Sequence, residues 1–161
     1  MLWNVDAQKV AEGYGINLND FIDTVNGSGT SPITEIAVAN LLNGQRVIGK
    51  QLPYDVIVKE RVNQLIEVRN ICKTQYVFFS PSTATGKGRF FCEQDYKKKL
   101  KCIDSYVFCD LRDRFIKPPK FYEIPVDKVI ELTYNGIIRE GKVTIKQFFN
   151  LFPYDQYALK P

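Results

Sequence analysis

Histidine is absent from all 161 residues. Ser–His–Asp and Cys–His catalysis therefore lack their base. Chemistry that relies on a histidine general base is excluded, as are zinc sites that need imidazole. Acid–base work must fall to carboxylates, lysines, tyrosines or metal-bound water. Cysteine is sparse. The four, Cys72, Cys92, Cys102 and Cys109, contain no CxxC pair, so a zinc knuckle is not expected. A disulfide framework is not expected in a domain of this size either, and the four read as small apolar core residues. No apolar run approaches the roughly 20 residues of a membrane span. The segment 1–6 lacks the basic-then-apolar pattern of a secretion signal. A cytoplasmic protein is the expectation.

What is present fits one globular domain with enough chain for a real core: 45% of residues are hydrophobic and 25% charged. The formal charge of +4 and pI near 8.8 are compatible with a polyanionic partner without requiring one. The distribution says more than the total. Basic residues gather at Lys97, Lys98, Lys99 and Lys101, and again at Lys87 and Arg89. A charge run is ordinarily a solvated helix face, so this cluster gains weight only beside a site.

The chain reads as helices first, then mixed strands. Two short helices are expected over 6–14 and 17–26, with Asn17 and Asn19 as caps. Ser31 and Pro32 open a third helix, apolar nearly all round and therefore buried, which stops at the C-cap signal Asn43-Gly44. Strands are expected over 46–48, 53–58, 64–71, 75–79, 105–111 and 120–125, with a helix over 93–101 and a helical turn over 126–132. The small-residue stretch 80–89 reads as a basic loop; its Gly-Lys does not belong to a phosphate-binding GxxxxGK[ST] pattern. Thr144 and Gln147 fit a capping box before Phe148. The order implies an α/β or α+β domain, a central mixed β-sheet flanked by helices.

One hairpin carries the chemistry. Pro53-Tyr54-Asp55 leads into Val56-Ile57-Val58, and after a polar turn Leu65-Ile66 leads into Glu67-Val68-Arg69. Alternate strand residues share a face, so Glu67 and Arg69 point the same way, and a matching register brings Asp55 to Glu67. Two carboxylates so placed form a hard-oxygen site suited to Mg²⁺. Glu35 lies on the face of the third helix that carries Val38, Ala39 and Leu42, where a carboxylate needs a partner, although near a helix N-terminus it also favours the macrodipole.

These residues resemble the PD-(D/E)xK nuclease superfamily, the restriction-endonuclease-like fold. Its pattern is a buried helical Glu, a strand with P-x-D and a strand with (D/E)-x-K; here Ser31–Glu35, Pro53–Asp55 and Glu67–Arg69 stand in that order. The resemblance covers residues 31 to about 130, extending to Phe121-Tyr122-Glu123-Ile124-Pro125-Val126. It implies a nuclease core over 31–130, with 1–30 as an N-terminal helical segment and 131–161 as a C-terminal extension. It further implies that Asp55 and Glu67 bind Mg²⁺ (Mn²⁺ as a substitute), with Glu35 an outer metal contact and Arg69 at the lysine position. Arg stays charged and makes a poor general base, so a relocated lysine is sought at Lys50, Lys59 or Lys73.

The expected activity is Mg²⁺-dependent hydrolysis of double-stranded DNA by a homodimeric restriction- or homing-type endonuclease, with Lys87, Arg89, Lys97, Lys98, Lys99 and Lys101 on the DNA. The alternatives are a catalytically inactive DNA-binding or structural subunit of the same fold, or a junction resolvase. An RNA-binding or ribonuclease module stacking bases on aromatics is a further reading, set against core packing for Tyr76, Phe78, Phe79, Phe90 and Phe91.

Overall fold

A computed structural model describes residues 6–13, 17–18, 31–47, 52–81, 84–85, 88–113 and 118–160, and statements of absence below concern these residues. The helices are α1 (Ala7–Gly13), α2 (Ser31–Leu41), α3 (Glu93–Leu100), α4 (Val126–Tyr134), α5 (Ile145–Leu151) and α6 (Tyr154–Tyr157). The strands are β1 (Gln45–Arg46), β2 (Val56–Val58), β3 (Gln64–Ile71), β4 (Tyr76–Phe78), β5 (Ala84–Thr85), β6 (Gly88–Arg89), β7 (Ser105–Asp110), β8 (Lys120–Pro125) and β9 (Lys142–Thr144).

The central sheet has five strands in the order β1-β2-β3-β7-β8. All its neighbours are antiparallel except β3 and β7, which run parallel with Glu67 opposite Tyr106 and Arg69 opposite Phe108. A parallel pair requires a long crossover, ordinarily through a helix. Residues 72–104 supply it and contain α3.

Both faces of the sheet are covered, which is why β7 is buried almost throughout. On one face, Val38, Ala39 and Leu42 meet Val56, Val58, Ile66, Val68, Val107 and Cys109. On the other, Ile71, Tyr106, Phe108, Tyr122 and Ile124 pack under Tyr96 and Leu100 of α3, Val129 and Leu132 of α4, and Phe148 of α5. The aromatic centre is dense, with Phe108 edge-on to Phe79 and Phe148 at centroid distances of 5.0 and 4.9 Å. Burial of such rings is the largest favourable contribution in a domain of this kind. The fold is thus the mixed sheet with flanking helices that the element order implied.

The differences from the sequence reading are local. The 75–79 strand forms as Tyr76–Phe78 and pairs with β9, a strand outside the sequence reading, in a separate two-stranded sheet. The 80–89 loop contains the β5–β6 hairpin. Helix α2 is buried on one face only, with Ile33 and Ile36 exposed by 51% and 45%. Of the cysteines only Cys109 is core, while Cys92 is exposed. The helix expected over 17–26 lies almost wholly outside the described residues. The capping box forms: the Thr144 hydroxyl accepts from Gln147 N–H at 3.2 Å, and Gln147 Oε1 accepts from Thr144 N–H at 3.0 Å. No described helix is long and apolar enough to cross a membrane.

Candidate functional site

The β2–β3 hairpin forms with Val56 opposite Ile66 and Ile57 opposite Leu65, and this register carries Asp55 to Glu67. Asp55 stands where the β2 ladder ends. Its own N–H donates to Ile66 O, and the Val68 N–H, which a continuing strand would bond to backbone, goes to Asp55 Oδ2 at 2.8 Å. The other oxygen, Oδ1, has no hydrogen-bond partner among the described residues. The preceding Pro53 lacks an N–H, which favours ending the strand there.

Glu67 is 6% exposed. Its Oε1 pairs with Arg69 Nη2 at 2.9 Å, and its Oε2 receives the ammonium of Lys99. Burial pushes the Glu67 carboxyl up to about 7, because desolvation outweighs the two cations and the Asp55 charge pushes the same way. Arg69 also donates to Ser80 O at 3.2 Å, so its guanidinium spans from Glu67 to the segment after β4. The Arg69 Nε–H is buried without a hydrogen-bond partner among the described residues, an unusual state for a charged donor.

Lys99 is the residue sequence reasoning misplaced. It was expected with Lys97, Lys98 and Lys101 on an exposed basic face. Instead its side chain is 10% exposed and turned onto Glu67. The signal was readable: Tyr96 and Leu100 form the buried stripe of α3, and Lys99, three residues after Tyr96, lies beside that stripe. Lys97, Lys98 and Lys101 are exposed, Lys97 pairing with Glu93 at 2.7 Å. Lys59 and Lys73 are exposed and make no ion pair among the described residues. Lys50 and Lys87 lie outside the described residues, and only the backbone of Arg89 is described.

Glu35 reaches the rim from the opposite face of the sheet. It pairs with Arg46 at 2.7 Å. Burial raises its pKa, the Arg46 hydrogen bond opposes that, and the Asp55 charge adds to the rise. The three carboxylates are therefore electrostatic neighbours with separate partners. No group of three acidic or cysteine side chains gathers as a ready-made metal cage among the described residues. The set fits a site of two carboxylates, the number Mg²⁺ ordinarily takes from protein alongside water and phosphate oxygens. Burial holds the Glu67 carboxyl above its ordinary range, so its ionised form gains from nearby positive charge.

Compared with known proteins, the chain matches no family model, no curated protein and no solved structure. The functional reading rests on these residues.

Proposed function

We propose that the chain is a Mg²⁺-dependent DNA endonuclease of the PD-(D/E)xK kind, in which Lys99 of α3 takes the place of the lysine that Arg69 replaces on β3. The observation that carries this reading is the seat of the Lys99 ammonium on Glu67, with Asp55 across the hairpin register. Asp55 and Glu67 would hold the ion, whose chemistry there is Lewis-acid stabilisation of charge at phosphorus. Lys99 orients the attacking water or neutralises a phosphate oxygen, roles open to a lysine on a movable four-carbon stem. Arg69 fixes the Glu67 carboxylate and ties it to Ser80. Glu35 and Arg46 neutralise one another at the rim. Lys98 and Lys101 would meet backbone phosphates, which position a nucleic acid without reading its sequence. A homodimer would set two such sites on opposite strands.

A second reading is favoured by the ion pairs themselves. Glu67 is neutralised at both oxygens and Glu35 by Arg46, as they would be in a non-cutting DNA-binding or structural subunit.

Plasmid cleavage in Mg²⁺ and in Mn²⁺ separates the two. The wild type should cut, and Asp55→Asn, which keeps an acceptor for Val68 N–H, should not. Lys99→Met should lose roughly 100-fold or more in rate while keeping its circular dichroism and its DNA affinity. Salt-sensitive DNA binding without cutting in either metal establishes the second reading. Normal cutting by Lys99→Met removes Lys99 from the site.

A further inference from the structure

A cavity of about 290 Å³ opens beside the site, walled by Phe78, Phe90, Phe91, Ser80 and Pro81 and closed on one side by Glu140 and Lys142. That size is near the lower end of small-molecule sites. Its aromatic walls are not core. Phe90 is 62% exposed and Phe91 39%, whereas Phe79, next to the wall residue Phe78 in sequence, is fully buried. Phe91 meets the Tyr96 ring edge-on at 5.8 Å, so it is fixed against α3 while part of its surface stays open.

Two connections tie the cavity to Glu67. The Arg69 guanidinium forms an ion pair with Glu67 at 2.9 Å and donates a hydrogen bond to the carbonyl of Ser80, a wall residue. Helix α3 carries both the Tyr96 that supports Phe91 and the Lys99 that reaches Glu67; three residues of helix are about 4.5 Å of rise. The Lys99–Glu67–Arg69 ion pairs are thus joined through Ser80 and α3 to exposed rings suited to a flat apolar heterocycle. Glu140 and Lys142 pair with each other at 2.7 Å, so that wall presents no net charge to a neutral base. The Ser80 wall is held by backbone: Phe79 N–H and Ser80 N–H both donate to Gly141 O, at 2.8 and 3.1 Å.

We propose that this cavity receives a nucleobase from an unpaired strand, stacked on Phe90 and Phe91, while the neighbouring phosphate lies at Lys99 and Glu67. The proposal rests on the nuclease reading and narrows its substrate. A base in the cavity cannot be paired in a duplex, so nucleic acid is bound where strands are open: single strands, flaps, ends or junctions. Stacking on aromatic rings tolerates any base, so the cavity contributes affinity and strand selection without sequence readout.

The test uses the full chain in Ca²⁺ and a short oligonucleotide containing a fluorescent adenine analogue whose emission falls on stacking. It is presented as deoxy and ribo single strands and as the matching duplexes. The expected result is tighter binding of the single strand than of the duplex for a given sugar, with quenching, a roughly tenfold loss in Phe90→Ala and retention in Phe90→Tyr. Phe90 is the variant of choice because it is the more exposed of the two rings. Equal single-strand and duplex affinity, or binding and quenching unchanged in Phe90→Ala, overturns the proposal. If Asp55-dependent plasmid cutting persists in that case, the nuclease reading survives. If neither cutting nor nucleic-acid binding is found, both fall together.

Discussion

Glu67 carries the sharpest physical consequence of any single residue. Its carboxyl has an ordinary value of 4.5 and is pushed to about 7 by burial. Below pH 4.5 it is protonated in both folded and unfolded chains, and its contribution to stability is fully present. Between 4.5 and 7 the unfolded chain releases the proton while the folded chain retains it, so stability falls as pH rises. Above 7 the loss is complete, on the order of 3 kcal/mol at 1.36 kcal/mol per pH unit. Glu67→Gln removes the titration and keeps an amide oxygen for Lys99. Urea unfolding from pH 4.5 to 8 should therefore show the variant gaining on the wild type by up to about that amount. Parallel stability curves for the two proteins would show that Glu67 ionises freely in the fold.

At the scale of elements, the hairpin was legible because its signals are local. Alternation, a polar turn and Pro53 fix the two carboxylates within a dozen residues of each other. Helix α3 is legible as a helix, and the Tyr96–Leu100 stripe sets its rotation, but three consecutive lysines mask which one lies beside that stripe. Strand β9 and its pairing with β4 bring together segments separated by more than sixty residues, and no local pattern announces that. Two glycines show the same divide. The Asn43-Gly44 signal ends α2 as expected, but Asn43 takes the positive φ of 50°, and Gly44 is small because a Cβ there would stand 2.8 Å from Ile57 O. Gly141 answers to both demands, with φ of +61° and a Cβ position 2.7 Å from Ser80 Cβ. Gly141→Ala should therefore destabilise the fold by about 1–3 kcal/mol. It should also push Ser80 off Gly141 O and loosen the Ser80 carbonyl that Arg69 holds. Thermal unfolding checks the first effect. An Arg69→Ala background checks the second: coupling between the two changes is expected, and strict additivity would mean that the Ser80 bridge carries no energy.

For the whole molecule, the question is how a net charge of only +4 could serve a polyanion. Much of the basic charge is internally spent: Arg46, Arg61, Arg69, Lys97, Lys99, Arg112, Lys128 and Lys142 all lie in ion pairs. Lys98 on α3 and Lys101 just past its end are exposed and make no ion pair among the described residues. This separates two kinds of lysine on one helix. An exposed lysine that meets a phosphate releases a counterion on binding, so its removal lowers the salt dependence by about one unit of slope. Lys99 already has Glu67 as its counter-charge and releases little. Binding of DNA measured across a range of salt should show Lys98→Ala and Lys101→Ala each weakening affinity and flattening the slope by close to one. Lys99→Met should leave the slope nearly unchanged while cleavage is lost. A Lys99→Met slope reduced as much as that of Lys98→Ala would mean that Lys99 gives up Glu67 altogether on binding and serves as one more backbone-phosphate lysine, and α3 would then be a uniform basic face.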